Sequence, residues 1–510
     1  MTSQNNPSPV DVQLPQGKYQ GYAYGTHQAF YNIPYAKAPV GELRWKKPQK
    51  VQPNSEKVYD ATQHGPSCPQ PKSLIPTFPG IPDYVPGQDE DNCLNLNIYT
   101  PPYETKPKDG WPVMVWIHGG SLKDGSNSLA LYDATNLVKR HPVLVVVINY
   151  RLNLFGFLAS KELAQDSGDG TAGNYGFLDQ RFAFEWVKEN ISSFGGDDSR
   201  ICGFGESAGS VSLAHHLVIS RGLFNRAILQ SGGLDTLPAA TIEKQQIIFD
   251  KICKHLDITG DDKVSQLRKV SSEILIEVID KLATEMRILW VGTIDGVTIK
   301  ENPRLLLQKP ENIDPFVKDI IIGENTDEGT IFLAGFGKEE TYRANLEATF
   351  PSGIVQKIED LYPLDSFGGS TALAGARIFG DKIFTRPIRD DARDLAHKDS
   401  LRNIYFYRFN APLQRTASLN LGIHHGVEIP FVFYHISHLT EAEKELSEKV
   451  TEYWVNFASH GVPNESWEPL SEGTGSSLVF ESGGIMGKEA MEDDIRDPRM
   501  VFWRTLSELS

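Results

Sequence analysis

The segment Gly205-Glu206-Ser207-Ala208-Gly209 sets a serine between two glycines at the spacing G-x-S-x-G, after the apolar run Ile201 to Phe204 and before the helical run Val211 to Val218. A serine there sits on a tight strand-to-helix turn, where small neighbours avoid clashes and the helix N-terminus favours negative charge. This is a setting for a nucleophile that attacks a carbonyl and leaves an oxyanion to be stabilised. A second pattern, Trp116-Ile117-His118-Gly119-Gly120-Ser121, follows another apolar run. Small residues there let the backbone approach a substrate carbonyl, so the amides of Gly120 and Ser121, with Gly119 supporting the loop, are candidate oxyanion donors beside that of Ala208. The plain alternatives are a helix N-cap serine and an ordinary Gly-Gly turn. A sharper rival is Gly203-x-Gly205-x-x-Ala208, which fits a relaxed dinucleotide fingerprint. That reading wants an acidic residue at the end of the next strand, which closes instead on Leu229-Gln230-Ser231-Gly232, so the cofactor reading loses its ribose partner.

These segments need rigid elements to hold them. The runs Val113 to Ile117, Val143 to Ile148, Arg200 to Phe204, Arg226 to Leu229 and Ile320 to Ile322 are too continuously apolar for half-exposed strands and read as buried parallel ones. Between them, Leu178, Phe182 and Trp186 recur at spacing four beside Ala183 and Val187, one face of a helix. Alternating strands and helices imply an α/β architecture, a large and mostly parallel sheet covered on both sides. Residues 240–290 and 335–400 carry charge-mixed helical patterns and read as excursions above that sheet. Thr440 and Glu443 form a capping-box pattern before Leu446, Val450, Trp454 and Phe457, and Gly461 supplies a stop, so a long C-terminal helix is expected at about 441–460. The proline-dense stretch Pro69 to Pro86 reads as an irregular loop between Cys68 and Cys93. A flexible segment 1–16 followed by one domain, 17–510, is the expected organisation.

Composition narrows the partners. With 50 basic and 66 acidic residues among 510, the formal charge of −16 disfavours nucleic acid and anionic membrane surfaces. No apolar run is long enough to span a bilayer. The start, Met1 to Val10, is polar and lacks a hydrophobic signal core, so the chain is expected to be cytoplasmic, or secreted with a leader that this sequence lacks. Four cysteines, Cys68, Cys93, Cys202 and Cys253, allow three full pairings that the sequence alone does not choose among. The histidine pairs His215-His216 and His424-His425 lack metal-ligand spacing, and no HExxH segment occurs, so neither a metal nor another cofactor is expected.

Taken in order, Ile33-Pro34-Tyr35-Ala36, Cys93-Leu94-Asn95-Leu96-Asn97-Ile98-Tyr99, Asn149-Tyr150-Arg151, Gly173-Asn174-Tyr175-Gly176, Phe194-Gly195-Gly196-Asp197 and the serine run make the chain resemble a type-B carboxylesterase of the cholinesterase-like family, from about residue 17 to the C-terminal helix. The resemblance implies an α/β-hydrolase fold and hydrolysis of small carboxylic esters. It implies that Ser207 is the nucleophile, that the glutamate of Asp327-Glu328-Gly329 is the triad acid and that the histidine of His425-Gly426-Val427-Glu428 is the base. The order serine, acid, histidine is that of α/β-hydrolases. The neighbours Asp327 and His424 project elsewhere. The likeness further implies a Cys68–Cys93 bridge with Cys202 and Cys253 as thiols, ion pairs of Arg151 with Asp179 and of Arg44 with an acid before Cys93, and places for Glu206 and Ser231 beside the triad.

Three departures bear on what the chain hydrolyses. The family often has a third glycine where Ser121 stands, which puts bulky tertiary-alcohol esters in doubt. Asp91-Asn92 replaces the usual E-D, so either Glu90 or Asp91 could pair with Arg44. The loop Pro69 to Asn92 has no tryptophan for a quaternary ammonium, so a choline ester is not the expected substrate. Short- to medium-chain acyl or aryl esters are expected, the bulk of Met286 to Trp290 suggesting a limited acyl pocket. The rivals are a catalytically silent adhesion protein of the same fold and, among enzymes, a lipase or feruloyl esterase. Oligomeric state is not readable from the sequence.

Overall fold

In a computed structural model the chain is described at residues 7–71, 87–286, 288–332, 341–396, 402–471, 475–490 and 497–508. The expected proline-rich loop therefore lies largely outside the described residues. The first strands are β1 (Ser8–Leu14), β2 (Gly17–Ala23), β3 (Gln28–Pro34), β4 (Val58–Asp60) and β5 (Asn95–Thr100). The apolar runs then form β6 (Trp111–Ile117), β7 (Leu144–Ile148), β8 (Gly196–Glu206) and β9 (Arg226–Gln230). A separate parallel pair, β10 (Ala240–Thr241) and β11 (Thr293–Ile294), precedes β12 (Asp319–Asn325), β13 (Asn403–Phe409), β14 (Ser476–Glu481) and β15 (Ile485–Ala490).

The large sheet runs β1-β2-β3-β5-β7-β6-β8-β9-β12-β13-β14-β15, with β4 on β2. From β7 to β14 every neighbouring pair is parallel, while β1, β3, β5 and β15 pair antiparallel. All seven residues of β6 are buried. Val113, Val115 and Ile117 join the core on one face, and Met114 and Trp116 the core on the other, which is why the strand shows no alternation of polarity.

One face carries α1 (Tyr175–Asn190), α2 (Ala208–Ile219), α3 (Ile242–His255) and α4 (Ser272–Glu285). α5 (Thr371–Gly380) runs through a π-helical turn, Asp381–Thr385, into α6 (Arg386–Leu395). The other face is covered by α7 (Ile429–Val432) and α8 (Glu441–His460). In α8 Thr440 and Glu443 form the reciprocal capping box and Gly461, at φ 82°, ends the helix, as the sequence predicts. The chain continues through β14 and β15 into α9 (Pro498–Glu508), where Trp503 packs in a satellite core with Tyr342, Leu346 and Tyr362.

The N-terminal expectation is corrected. Ser8–Leu14 is not a flexible segment but a strand paired antiparallel with β2, because Val10, Val12 and Leu14 alternate with Asp11 and Gln13 and turn one face inward. The Cys68–Cys93 bridge is likewise not formed: all four cysteines are buried thiols. Each of the two spends its S–H on a nearby backbone carbonyl, Cys68 on Cys93 at 3.8 Å and Cys93 on Glu90 at 3.7 Å. Arg151 makes a two-pronged buried pair with Asp179, both contacts 2.7 Å. Arg44 pairs with Glu90, through Nε at 2.7 Å, and not with Asp91.

Candidate active site

Ser207 stands at the C-terminal end of β8 and caps α2, with φ 56° and ψ −122°, a conformation costly for a side chain that bears a Cβ. Its surroundings hold it there. The Ser207 amide donates to the carbonyl of Gln230 at 2.9 Å. A Cβ at Gly209 would overlap the Ile117 carbonyl oxygen, and one at Gly205 would come within 2.8 Å of the same atom, so the two glycines of the motif let the turn press onto β6. Ser207 is 9% exposed.

The loop after β6 lies against this turn. A Cβ at Gly119 would stand 2.8 Å from Glu206 Oε2 and 3.0 Å from Ser207 Cβ. Gly120, at φ 102°, accepts the amides of Lys123 and Asp124 on its carbonyl, and Ser121 follows at φ 56°. The N–H groups of Gly120 and Ser121 find no acceptor among the described residues. Ala208 opens α2, so its N–H is one of the helix's unpaired donors. His118 braces the loop by donating from Nδ1 to the Gly119 carbonyl at 2.9 Å, and burial pushes it down to about 4, so it is neutral.

Glu328 and His425 are brought together from 97 residues apart: Nδ1 of His425 donates to Glu328 Oε2 at 2.6 Å, while Glu328 Oε1 accepts the Asn325 amide at 2.8 Å. The neighbours have other tasks. Asp327 Oδ2 accepts the Ile423 amide at 3.0 Å, and His424 Nδ1 donates to the His425 carbonyl at 2.8 Å.

The other edge of the imidazole differs from expectation. Nε2 of His425 faces Glu206 Oε1 at 3.0 Å, and among the described residues no hydrogen bond joins it to Ser207. Both side chains are buried, and the two facing atoms have no hydrogen-bond partner among the described residues. Burial pushes Glu206 up to about 8, against the pull of His425. Burial pulls His425 down, yet Glu206 and Glu328 outweigh it and push the imidazole up to about 9. Aromatic rings close the site around His425, with Phe384 of the π-helical turn at 4.4 Å and Phe332 at 5.2 Å.

Sequence reasoning missed a second layer. Asn325 Nδ2 donates to Glu428 Oε2 at 2.6 Å, Gln230 Nε2 donates to Glu428 Oε1 at 3.1 Å, and Trp454 Nε1 donates to Gln230 Oε1 at 3.1 Å. The available signal was a polar residue ending an apolar strand run, Gln230 on β9 and Asn325 on β12. Ser231 is buried beside this layer at φ 54°, its amide on the Gly323 carbonyl.

Comparison with known proteins bears on what this constellation is. Residues 8–503 match the model of the carboxylesterase family. The para-nitrobenzyl esterase of Bacillus subtilis (strain 168) is 32% identical over 497 residues, covering 92% of this chain and 94% of its own. An acylcarnitine hydrolase of Mus musculus is 34% identical over 516 residues, covering 94% of this chain and 86% of its own. Among solved structures, a thermophilic PNB esterase superposes with a TM-score of 0.81 at 29% identity, covering 97% of this chain and all of that one.

Proposed function

The chain belongs to the carboxylesterase family and is a carboxylic ester hydrolase, and from that premise we propose that it works through an acyl-enzyme on Ser207, with His425 as general base and Glu328 orienting it. The observation that carries the reading is the buried Glu328–His425 pair, whose Nε2 lies 3.0 Å from Oε1 of Glu206, the residue before a serine held at positive φ on a strand-to-helix turn. His425 Nε2 takes the proton of Ser207 Oγ as that oxygen bonds to the ester carbonyl carbon. The carbonyl oxygen becomes an oxyanion facing the amides of Gly120, Ser121 and Ala208, each worth about 3 kcal/mol in the transition state. Collapse breaks the bond to the alcohol oxygen, which leaves with the proton from His425. Water then attacks the acyl group, giving its proton to His425, and the second collapse returns that proton to Ser207 and frees the acid.

Short- to medium-chain acyl or aryl esters fit best. Phe332 and Phe384 crowd the imidazole with flat apolar surface. Met286 to Trp290 does not form one apolar wall: Trp290 is buried in the main core, Leu289 is exposed, and residue 287 lies outside the described residues. The test is Ser207→Ala. Fluorophosphonate labelling and p-nitrophenyl acetate hydrolysis should both vanish while the fold persists; retained hydrolysis rejects the assignment. With the native enzyme, kcat/KM should not climb steadily from acetyl through butyryl to octanoyl esters, and a steady climb rejects the chain-length reading.

A further inference from the structure

β9 lies between the strand that ends in the nucleophile and the strand that leads to the acid, and Gln230 is its last residue, in register with Glu206 on one side and Gly323 on the other. It is wholly buried, and both of its carbonyl groups and its amide nitrogen are in use. The main-chain oxygen holds the Ser207 amide. The side-chain oxygen accepts the Trp454 indole N–H, and the side-chain nitrogen donates to Glu428. An indole can only donate, so Trp454 dictates which end of the amide faces the carboxylate. Released from it, the amide could turn its oxygen to Glu428 and repel it.

We infer that Gln230 is a positioning residue for the acid–base pair: its amide, fixed in one orientation by Trp454, holds the carboxyl of Glu428, which also takes the side chain of Asn325, whose main-chain N–H in turn holds Glu328 against His425. The inference rests on the reading of His425 as the base. Its physical content is a balance of burial against donors. Burial, and next to it the charge of Glu328, hold Glu428 above its usual range, while the Asn325 side chain, a backbone amide and the Gln230 side chain oppose them. Glu428 in turn is one of three carboxylates that act on His425, with Glu206 from the end of β8 and Glu328 after β12. The other titratable neighbours are His424, held down by burial, and Tyr407 of β13 and Tyr132, both held far above their usual range by burial first and then by these carboxyl groups. Removing the Gln230 donor favours the protonated form of Glu428, and the imidazolium loses a counter-charge.

The experiment is the pH profile of kcat/KM for p-nitrophenyl acetate in Gln230→Leu, Trp454→Phe, Glu428→Gln and the double variant Gln230→Leu/Glu428→Gln. Leucine keeps the main-chain bond to Ser207 and removes both side-chain bonds. The expected result is an acid limb displaced to lower pH by on the order of half a unit or more in Gln230→Leu, with kcat falling more than KM changes. Trp454→Phe should move it the same way by less, and the double variant no further than Glu428→Gln alone. An acid limb that stays at the native value in Gln230→Leu, whatever the loss of rate, overturns the inference; so does full additivity in the double variant. Should Gln230→Leu not fold, Trp454→Phe decides by the same criterion. An active Ser207→Ala sinks the proposed mechanism itself, whereas an inactive one with an unmoved limb sinks only the role of Gln230.

Discussion

Replacing Glu328 by glutamine tests the acid–base pair with almost no change of shape. The carboxylate accepts two N–H groups, His425 Nδ1 at 2.6 Å and the Asn325 amide at 2.8 Å. A glutamine side chain offers one acceptor and one donor. If its oxygen faces His425, its NH2 meets the Asn325 N–H, and a buried donor left unpaired costs about 1–3 kcal/mol. If its NH2 faces His425, Nδ1 must become the acceptor, and the ring carries its proton on Nε2, the atom needed to receive the proton of Ser207. Either arrangement also removes a charge that stabilises the imidazolium. Neutral replacement of a triad acid costs about four decades in kcat when the tautomer is inverted, so a fall of roughly 10³ to 10⁴ is expected, ~4 to 5.5 kcal/mol at about 1.4 kcal/mol per decade. KM should change little, since Glu328 touches no substrate atom in this scheme. The sign of the pH effect follows from His425 being pushed up to about 9, after burial, by Glu206 and Glu328. Losing one carboxylate returns it toward its ordinary range, so the acid limb of kcat/KM moves to lower pH. The assay is p-nitrophenyl acetate hydrolysis across pH, with circular dichroism to show the fold. Asp327→Asn is the control, because that carboxylate caps the Ile423 amide, and its rate should stay within about tenfold of native, a cap being worth ~1 kcal/mol. A folded Glu328→Gln enzyme with kcat within tenfold of native would refute the assignment.

Gly209→Ala should destabilise the fold by about 1–3 kcal/mol, since its Cβ would overlap the Ile117 carbonyl; a native urea midpoint would contradict the packing described. Alkylation after denaturation without reductant should find four reactive thiols; a count of two would contradict the free state of Cys68 and Cys93.

How much of this was legible depended on whether a residue's surroundings were local in sequence. β6 and β9 announce themselves because a strand covered on both faces must be apolar throughout. The motif around Ser207 is legible for a similar reason, the tight turn and the packing onto β6 demanding glycine at two fixed offsets. The flanking strands were harder. β1 alternates and is half-exposed, and its pairing with β2 decides its state more than its own composition does. The partner of Arg44 was ambiguous because Glu90 and Asp91 are adjacent, and only the folded loop shows which carboxylate meets the guanidinium. The contact between Glu206 and His425 spans 219 positions and leaves no periodic trace.

The second layer explains why a buried imidazole can be surrounded by carboxyl groups at all. Placing Glu206, Glu328 and Glu428 in a dry interior is unfavourable unless each finds donors. Glu328 has the Asn325 amide and His425, and Glu428 has the side chains of Asn325 and Gln230. Glu206 Oε1 meets no hydrogen-bond donor among the described residues and only faces His425 Nε2 at 3.0 Å, and burial pushes Glu206 up to about 8. The three acids therefore differ in the donors that they meet among the described residues. The Gln230 and Asn325 donors stand at the ends of β9, which pairs with β8, and of β12, which pairs with β9. Strand order therefore does more than gather three side chains from distant sequence: by ending β9 in one amide and β12 in another, it sets two side-chain donors on the buried Glu428.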